Sequence, residues 1–188
     1  MSETPKRPTK AEVAASADRL VPDVIDDGLD VLFVGINPGL YSAAIGHHFG
    51  RPGNRFWPAL HLGGFTPRVL FPWEESMLLE SRVGITNLVD RASARADELT
   101  ADELLAGAKV LAEKVERHTP RVVALLGITS FRVAFDRPKA VLGLQPEKLD
   151  DTELWVLPNP SGLNAHYQLP DLGRLFAELR AHLHPEKG

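Results

Sequence analysis

Two stretches of this chain, Val31–Val34 and Val122–Leu126, are apolar at every position. Successive side chains of a β-strand point to opposite faces, so an unbroken apolar run must be covered on both sides. A mainly parallel sheet with helices on each face meets that demand. The rest of the sequence supplies the helices. Thr9 and Glu12 have capping-box spacing before AEVAASADRL. Thr100 and Glu103 repeat it before a segment that sets Leu104, Ala108, Leu111 and Val115 on one helical face. Pro120 stops that helix. Short helices are expected in NRFWPALHLGGF, bent or started late at Pro58, in WEESMLLES and in ITSFRVAF. Leu172, Leu175, Phe176, Leu179 and Leu183 mark a closing one, while RVGITNLV and ELWVLPNPSG read as further strands. The expected fold is α/β, a three-layer α/β/α sandwich around a mainly parallel sheet of about four strands.

A chain of 188 residues, 44% of them hydrophobic, suits one core. Residues 1–20 read as an extension, loose over the first eight residues and carrying one short helix; 21–188 read as a single domain. There is no cysteine, which excludes disulfides, a thiolate nucleophile and a cysteine-ligated metal or iron–sulfur site. No apolar run approaches membrane-spanning length and no signal-peptide core opens the chain, so a soluble, cytoplasmic, monomeric protein is expected. The net charge of -4 does not mark a nucleic-acid binder, so any such role must rest on a local patch.

Two strand exits look alike. GINPG follows the first strand and LPNPSG the last, each with Asn-Pro followed by glycine. In parallel sheets ligands bind at the carboxyl ends of strands, and Pro with Gly makes such loops rigid and unhindered. Either loop alone reads as a turn; together, beside a basic aromatic segment, they read as a site. That segment, Pro38 to Trp73, holds three Arg (Arg51, Arg55, Arg68), three His (His47, His48, His61) and no Asp or Glu. Basic residues interleaved with aromatics suit phosphate contact and base stacking. Phe56 and Trp57 read as core. Phe49 sits in a loop between Gly46 and Gly50 and is read either as a stacking residue or as core. His47 and His48 are adjacent and diverge in extended backbone, and no metal or other cofactor is expected.

GINPG, NRFW, GITNLVDR and NPSGL, in that order, resemble the mismatch-specific uracil-DNA glycosylase and thymine-DNA glycosylase family over roughly residues 30–180. The resemblance implies hydrolysis of the bond between a deaminated or altered base and its deoxyribose in double-stranded DNA. It implies no cofactor. Asn37 has no titrating proton near neutral pH, so the implied role is to hold a water rather than to act as a general base. Asp90, in the middle motif, is implied to be acidic in relatives; it is read either as a structural cap or as a partner polarising that water. Ile36, Gly39, Ser42, Phe49 and Asn159 are the implied base contacts, with Gly39 leaving the pocket open where stricter relatives carry Tyr. Arg55 and the run Pro160, Ser161, Gly162, Leu163, Asn164, Ala165 and His166 are the implied DNA contacts. Leu163 is the wedge that fills the gap left by a flipped base, or else a residue packed on the closing helix. Ala165 stands where relatives with strong guanine preference can carry Arg. Two other functions remain open: an N-glycosidase of free nucleosides or single strands, and a non-catalytic nucleotide or damaged-DNA module.

Overall fold

The computed structural model describes residues 3–185. Met1 and Ser2 of the expected loose tail, and Glu186, Lys187 and Gly188 at the end of the expected domain, lie outside the described residues. The sheet has five strands: β1 (Val31–Gly35), β2 (Val83–Asn87), β3 (Val122–Leu126), β4 (Gly143–Leu149) and β5 (Thr152–Leu157), in the order β2-β1-β3-β5-β4. β1 pairs in parallel with β2 and β3, and β3 with β5; Val31 lies opposite both Val83 and Val122. β4 is the strand not expected from sequence. It pairs antiparallel at the edge, and its register slips between Leu144 and Lys148, around Pro146. Proline has no N–H for a ladder, and only an edge strand tolerates that.

Among the described residues, six α-helices complete the layers: α1 (Lys10–Ala14), α2 (Leu40–Ile45), α3 (Phe56–Leu62), α4 (Ala101–His118), α5 (Ile128–Ala134) and α6 (Leu169–Leu183). The alternation of the strands divides the core in two. Phe33, Ala124 and Leu157 face Phe56 and Leu60 of α3 and Leu172, Phe176 and Leu179 of α6. Leu32, Val34, Val123 and Val156 face Leu104, Leu111 and Val115 of α4 and Phe131 of α5. Phe33 is fully buried and touches the rings of Phe56, Phe65 and Phe176 at centroid distances of 5.5, 5.5 and 5.6 Å. Burying a side chain of this size is worth roughly 1.5–3 kcal/mol.

Both capping boxes form as the sequence predicts, Thr9 with Glu12 and Thr100 with Glu103. α3 starts at Phe56, before Pro58. A proline in the first turn needs no hydrogen-bond donor, so it neither delays nor bends the helix. WEESMLLES winds as 3-10 turns over Pro72–Ser81 instead of an α-helix. α4 presses on the chain after β2 at Gly107, where a Cβ would lie 2.3 Å from the Leu88 carbonyl oxygen. The four parallel strands end at one edge of the sheet. The chain leaves β1 for β2 on one side and later enters β3 on the other, so the topological switch point lies at the exits of β1 and β3.

Candidate active site

A cavity of about 460 Å³ opens at that edge. Its walls come from Gly35–Gly39 after β1, Asn87 at the end of β2, Leu126 at the end of β3 and Asn159 after β5, with Ser93–Asp97 and Leu163 at other points of the rim. The β1–β2 ladder does not stop where the strands do. Leu88 N–H donates to the Gly35 carbonyl (2.8 Å), Val89 N–H to Ile36 (3.0 Å) and Ser93 N–H to Pro38 (3.1 Å). The GINPG loop is thereby held as an extension of the sheet.

Asn37 is half-buried in this frame, and its side-chain orientation is determined by its neighbours. Nδ2 donates to the Arg91 carbonyl and to Ser93 Oγ, both at 2.8 Å. Ser93 Oγ gives its own proton to the Arg95 carbonyl at 2.6 Å, so toward Asn37 it can only accept. A backbone carbonyl also only accepts. Both amide hydrogens of Asn37 are therefore engaged, and Oδ1 is the free end of the side chain, an acceptor in the cavity wall.

Behind it lies a second polar layer. His48 is buried; its Nε2 faces the Pro22 carbonyl at 2.8 Å and its Nδ1 faces Asn87 Nδ2 at 3.3 Å. The carbonyl requires a proton on Nε2, so Nδ1 accepts from the Asn87 amide. Asn87 Oδ1 then has no partner among the described residues, and Asn87 lines the cavity. A Cβ on Gly35 would lie 2.6 Å from Asn87 Oδ1, so only glycine lets the amide approach β1 so closely. Glu75 completes the layer, accepting from His48 N–H at 2.9 Å and pairing with His47 Nδ1 at 2.9 Å. Adjacent in sequence, the two histidines diverge. Among the described residues, no group of three or more His, Asp or Glu is placed to hold a metal ion.

Phe49 is packed on the core by one face and open to the cavity on the other. One side of its ring stacks on Phe56 at 4.1 Å, yet it is only partly buried and lines the cavity. It has φ 51°, in the left-handed region. Gly50 N–H donates to the buried Ser42 Oγ at 2.9 Å, which anchors the loop. Ser42 and Ile36 line the cavity as well, and Gly39 has open space where a side chain would be.

Arg55 is not turned outward to phosphate, as the sequence reading had it. Its guanidinium donates to the carbonyls of Tyr167, Ser161 and Asn164, and its own N–H donates to the Pro160 carbonyl at 3.0 Å. It holds the second Asn-Pro loop in place from beneath. That loop is further fixed by Asn159, whose Oδ1 accepts from Ser161 N–H at 3.0 Å, and by Asn164, whose amide donates to the Asn159 carbonyl at 3.0 Å. Pro160 is buried, while Gly162, Leu163, Ala165 and His166 are exposed at the surface. Leu163 is 66% exposed, so it projects from the loop instead of packing on α6.

Asp90 is exposed, lies outside the cavity walls and makes no hydrogen bond or ion pair among the described residues. The segment it belongs to serves Asn37 through backbone and hydroxyl, the Arg91 carbonyl and Ser93. Arg91 in turn is clamped by Glu103 at 2.7 and 3.1 Å. Ser93 and Asn87 are the site residues that sequence reasoning missed. Only the continued ladder after GITNL, visible in three dimensions, singles them out.

The sequence profile of the uracil DNA glycosylase superfamily matches residues 22–184. The solution structure of a candidate uracil DNA glycosylase from Methanosarcina acetivorans shares the fold, with TM-score 0.55 and 19% identity, over 86% of this chain and 98% of that one.

Burial of the His48 imidazole lowers its pKa below the ordinary 6.5, against the opposing field of Glu75. The native state holds this ring neutral, while the unfolded chain takes up a proton below about pH 6.5. Its contribution to stability is therefore full above that pH and is lost as pH falls toward and through the lower folded value. Urea denaturation of the parent should give a lower midpoint at pH 5.5 than at pH 7.5. His48→Gln should be less stable at pH 7.5 and show a smaller drop between the two. An equal drop in both proteins would remove His48 as its source.

Proposed function

The chain belongs to the uracil DNA glycosylase superfamily and is a DNA glycosylase of that family; from that premise we propose that it is of the mismatch-specific kind, releasing uracil and bulkier altered pyrimidines paired with guanine. The observation that carries this reading is the oriented amide of Asn37. Glycosidic cleavage in such enzymes proceeds largely by dissociation, leaving a cationic sugar and an anionic base, so the attacking water must be placed more than it must be deprotonated. An acceptor held at one point by Arg91 and Ser93 places a water without titrating.

The other walls support the same chemistry. Phe49 offers a ring face, backed by Phe56, on which an extruded base stacks. The free Oδ1 of Asn87 accepts from an N–H, and the N3 position of uracil or thymine supplies one where cytosine has an acceptor. Nothing fills the space beside Gly39, so a substituent on carbon 5 is tolerated. Leu163 projects from a loop held rigid by Arg55, as a side chain that fills a duplex gap must. With Ala165 in place of a reaching Arg, guanine opposite the lesion is read less strongly.

Asn37→Ala should keep the fold and DNA binding and lose on the order of 100-fold or more in single-turnover base release from a U:G duplex. Near-parent release would end the water-placing role.

Ser93 acts as a positioning residue through its hydrogen bond with Asn37. Ser93→Ala should lower kcat about tenfold with KM little changed, because one of two hydrogen bonds orienting the amide is lost. Ser93→Thr, which keeps the hydroxyl, should recover most of the loss. A change in KM alone would point to a structural role.

Leu163→Ala should impair U:G duplex at least tenfold more than single-stranded uracil, since only the duplex has a stack to hold open. Equal losses on both substrates would contradict the wedge. Free deoxyuridine, assayed in parallel, should be a poor substrate; rapid cleavage of it would favour a nucleoside N-glycosidase.

A further inference from the structure

A second groove of about 530 Å³ adjoins the cavity, and Phe49, Arg51 and Asn54 line both. Its far walls come from parts of the chain that the glycosylase reading does not use: Lys6 and Arg7 of the N-terminal arm, and Phe71 and Trp73 before and within the 3-10 turns. Phe71 and Trp73 stack in parallel, centroids 4.8 Å apart and planes 2° from coplanar. Phe71 is nonetheless 56% exposed. Lys6, Arg7 and Arg51 are exposed and form no ion pair among the described residues. The two carboxylates next to the aromatic pair are already engaged. Glu74 takes Arg68 at 2.9 and 2.7 Å and caps the Phe71 N–H at 2.8 Å, and Glu75 is held by His47 and the His48 backbone.

We propose that this groove binds an unpaired stretch of the DNA strand that leaves the active-site cavity. Three unpaired cations on its walls suit a run of phosphates, whose affinity comes from counterion release. A ring face left open in a cationic groove suits an unstacked base and has no use in a duplex, where the base faces are covered. The shared Arg51–Asn54 loop gives the continuity that one strand through both spaces requires. The choice of DNA over another polyanion rests on the glycosylase reading.

The test reads binding without base release. Trp155 is 8% exposed and lies outside the groove, whereas Trp57, 3% exposed, lines it with Trp73, so a Trp73→Phe variant, which keeps the stack on Phe71, assigns the emission change to Trp73 by its loss. Titrating the full chain with a uracil-free thymidine octamer should quench that emission, with affinity falling as salt rises. Phe71→Ala should weaken the octamer on the order of tenfold. Lys6→Ala with Arg7→Ala, both exposed and harmless to folding, should lower the salt slope by about 0.7 per removed contact. Unchanged emission on titration, or a Phe71→Ala variant that binds as tightly as the parent, overturns the groove. Thymidine monophosphate binding as tightly as the octamer overturns the strand. Heparin displacing the octamer at equal affinity reduces the groove to an anion patch and overturns the assignment to DNA. Uracil release from a blunt U:G duplex is measured beside it: quenching without release would fail the proposed function and spare the groove, and release without quenching would do the reverse.

Discussion

The guanidinium of Arg55 holds the two halves of the site together. It rises from the start of α3, on the GINPG side, and hydrogen-bonds three carbonyls of the loop after β5. Hydrogen bonds from a charged donor are worth about 1.5–3 kcal/mol each, so together they offset part of the ordering entropy of the irregular loop between β5 and α6, roughly 1–2 kcal/mol per residue. No carboxylate answers the charge among the described residues, and Nε is buried without a partner. The positive charge is thus fixed beneath the loop that carries Leu163. A cation placed in this way attracts a polyanion through its field without touching a phosphate. On the proposed wedge role of Leu163, stiffness matters as much as charge, because a leucine entering a base stack must not fold back onto its own protein.

A similar economy governs Asn37. A carboxylate in its place would set an oxygen where Nδ2 now stands, 2.8 Å from the Arg91 carbonyl and from a serine hydroxyl whose proton is already given away. Acceptor would face acceptor, at a cost of the order of a lost hydrogen bond or more. The continued β1–β2 ladder that builds the loop therefore also selects the amide. The presence of an amide rather than a carboxylate at this position follows from the backbone around it, and the proposed chemistry is accordingly one of positioning.

The layered architecture was legible because hydrophobic periodicity is a direct consequence of burial. Val31–Val34 and Val122–Leu126 could only be strands covered on both faces, and Thr100 with Glu103 marked the start of α4 to the residue. β4 was not legible, since Pro146 and its charged neighbours deny the alternation that marks a strand; its pairing is set by β5 and the intervening turn. In the site, Asn37, Phe49 and Leu163 stood out by residue type in unusual loops. Arg55 was visible as a charge, but a sequence does not show which way a charge points. Asp90 drew attention as a carboxylate in a motif and lies outside the cavity, while the ordinary Ser93, three residues on, orients the amide. Serine and asparagine are common, and what gives Ser93 and Asn87 their functions is the partner that takes up one end of each side chain.

A chain of net charge -4 is an unpromising ligand for DNA only if charge is counted without regard to place. At physiological salt a charge is felt over about 8 Å, so a strand passing over the protein responds to its nearest neighbours and not to the total. Along the rim the balance is reversed. Arg51, Lys6 and Arg7 are unpaired and exposed, whereas Glu74, Glu75 and Glu103 are each held by a cation or a backbone N–H. Asp97 lines the cavity but is paired with Arg95 at 3.1 Å. The net acidity of the chain therefore does not describe the charge along this rim. On the proposed strand path, a weakly cationic face on an acidic protein restricts orientation more than a uniformly basic surface would, and it directs the strand first to the loop between the two cavities.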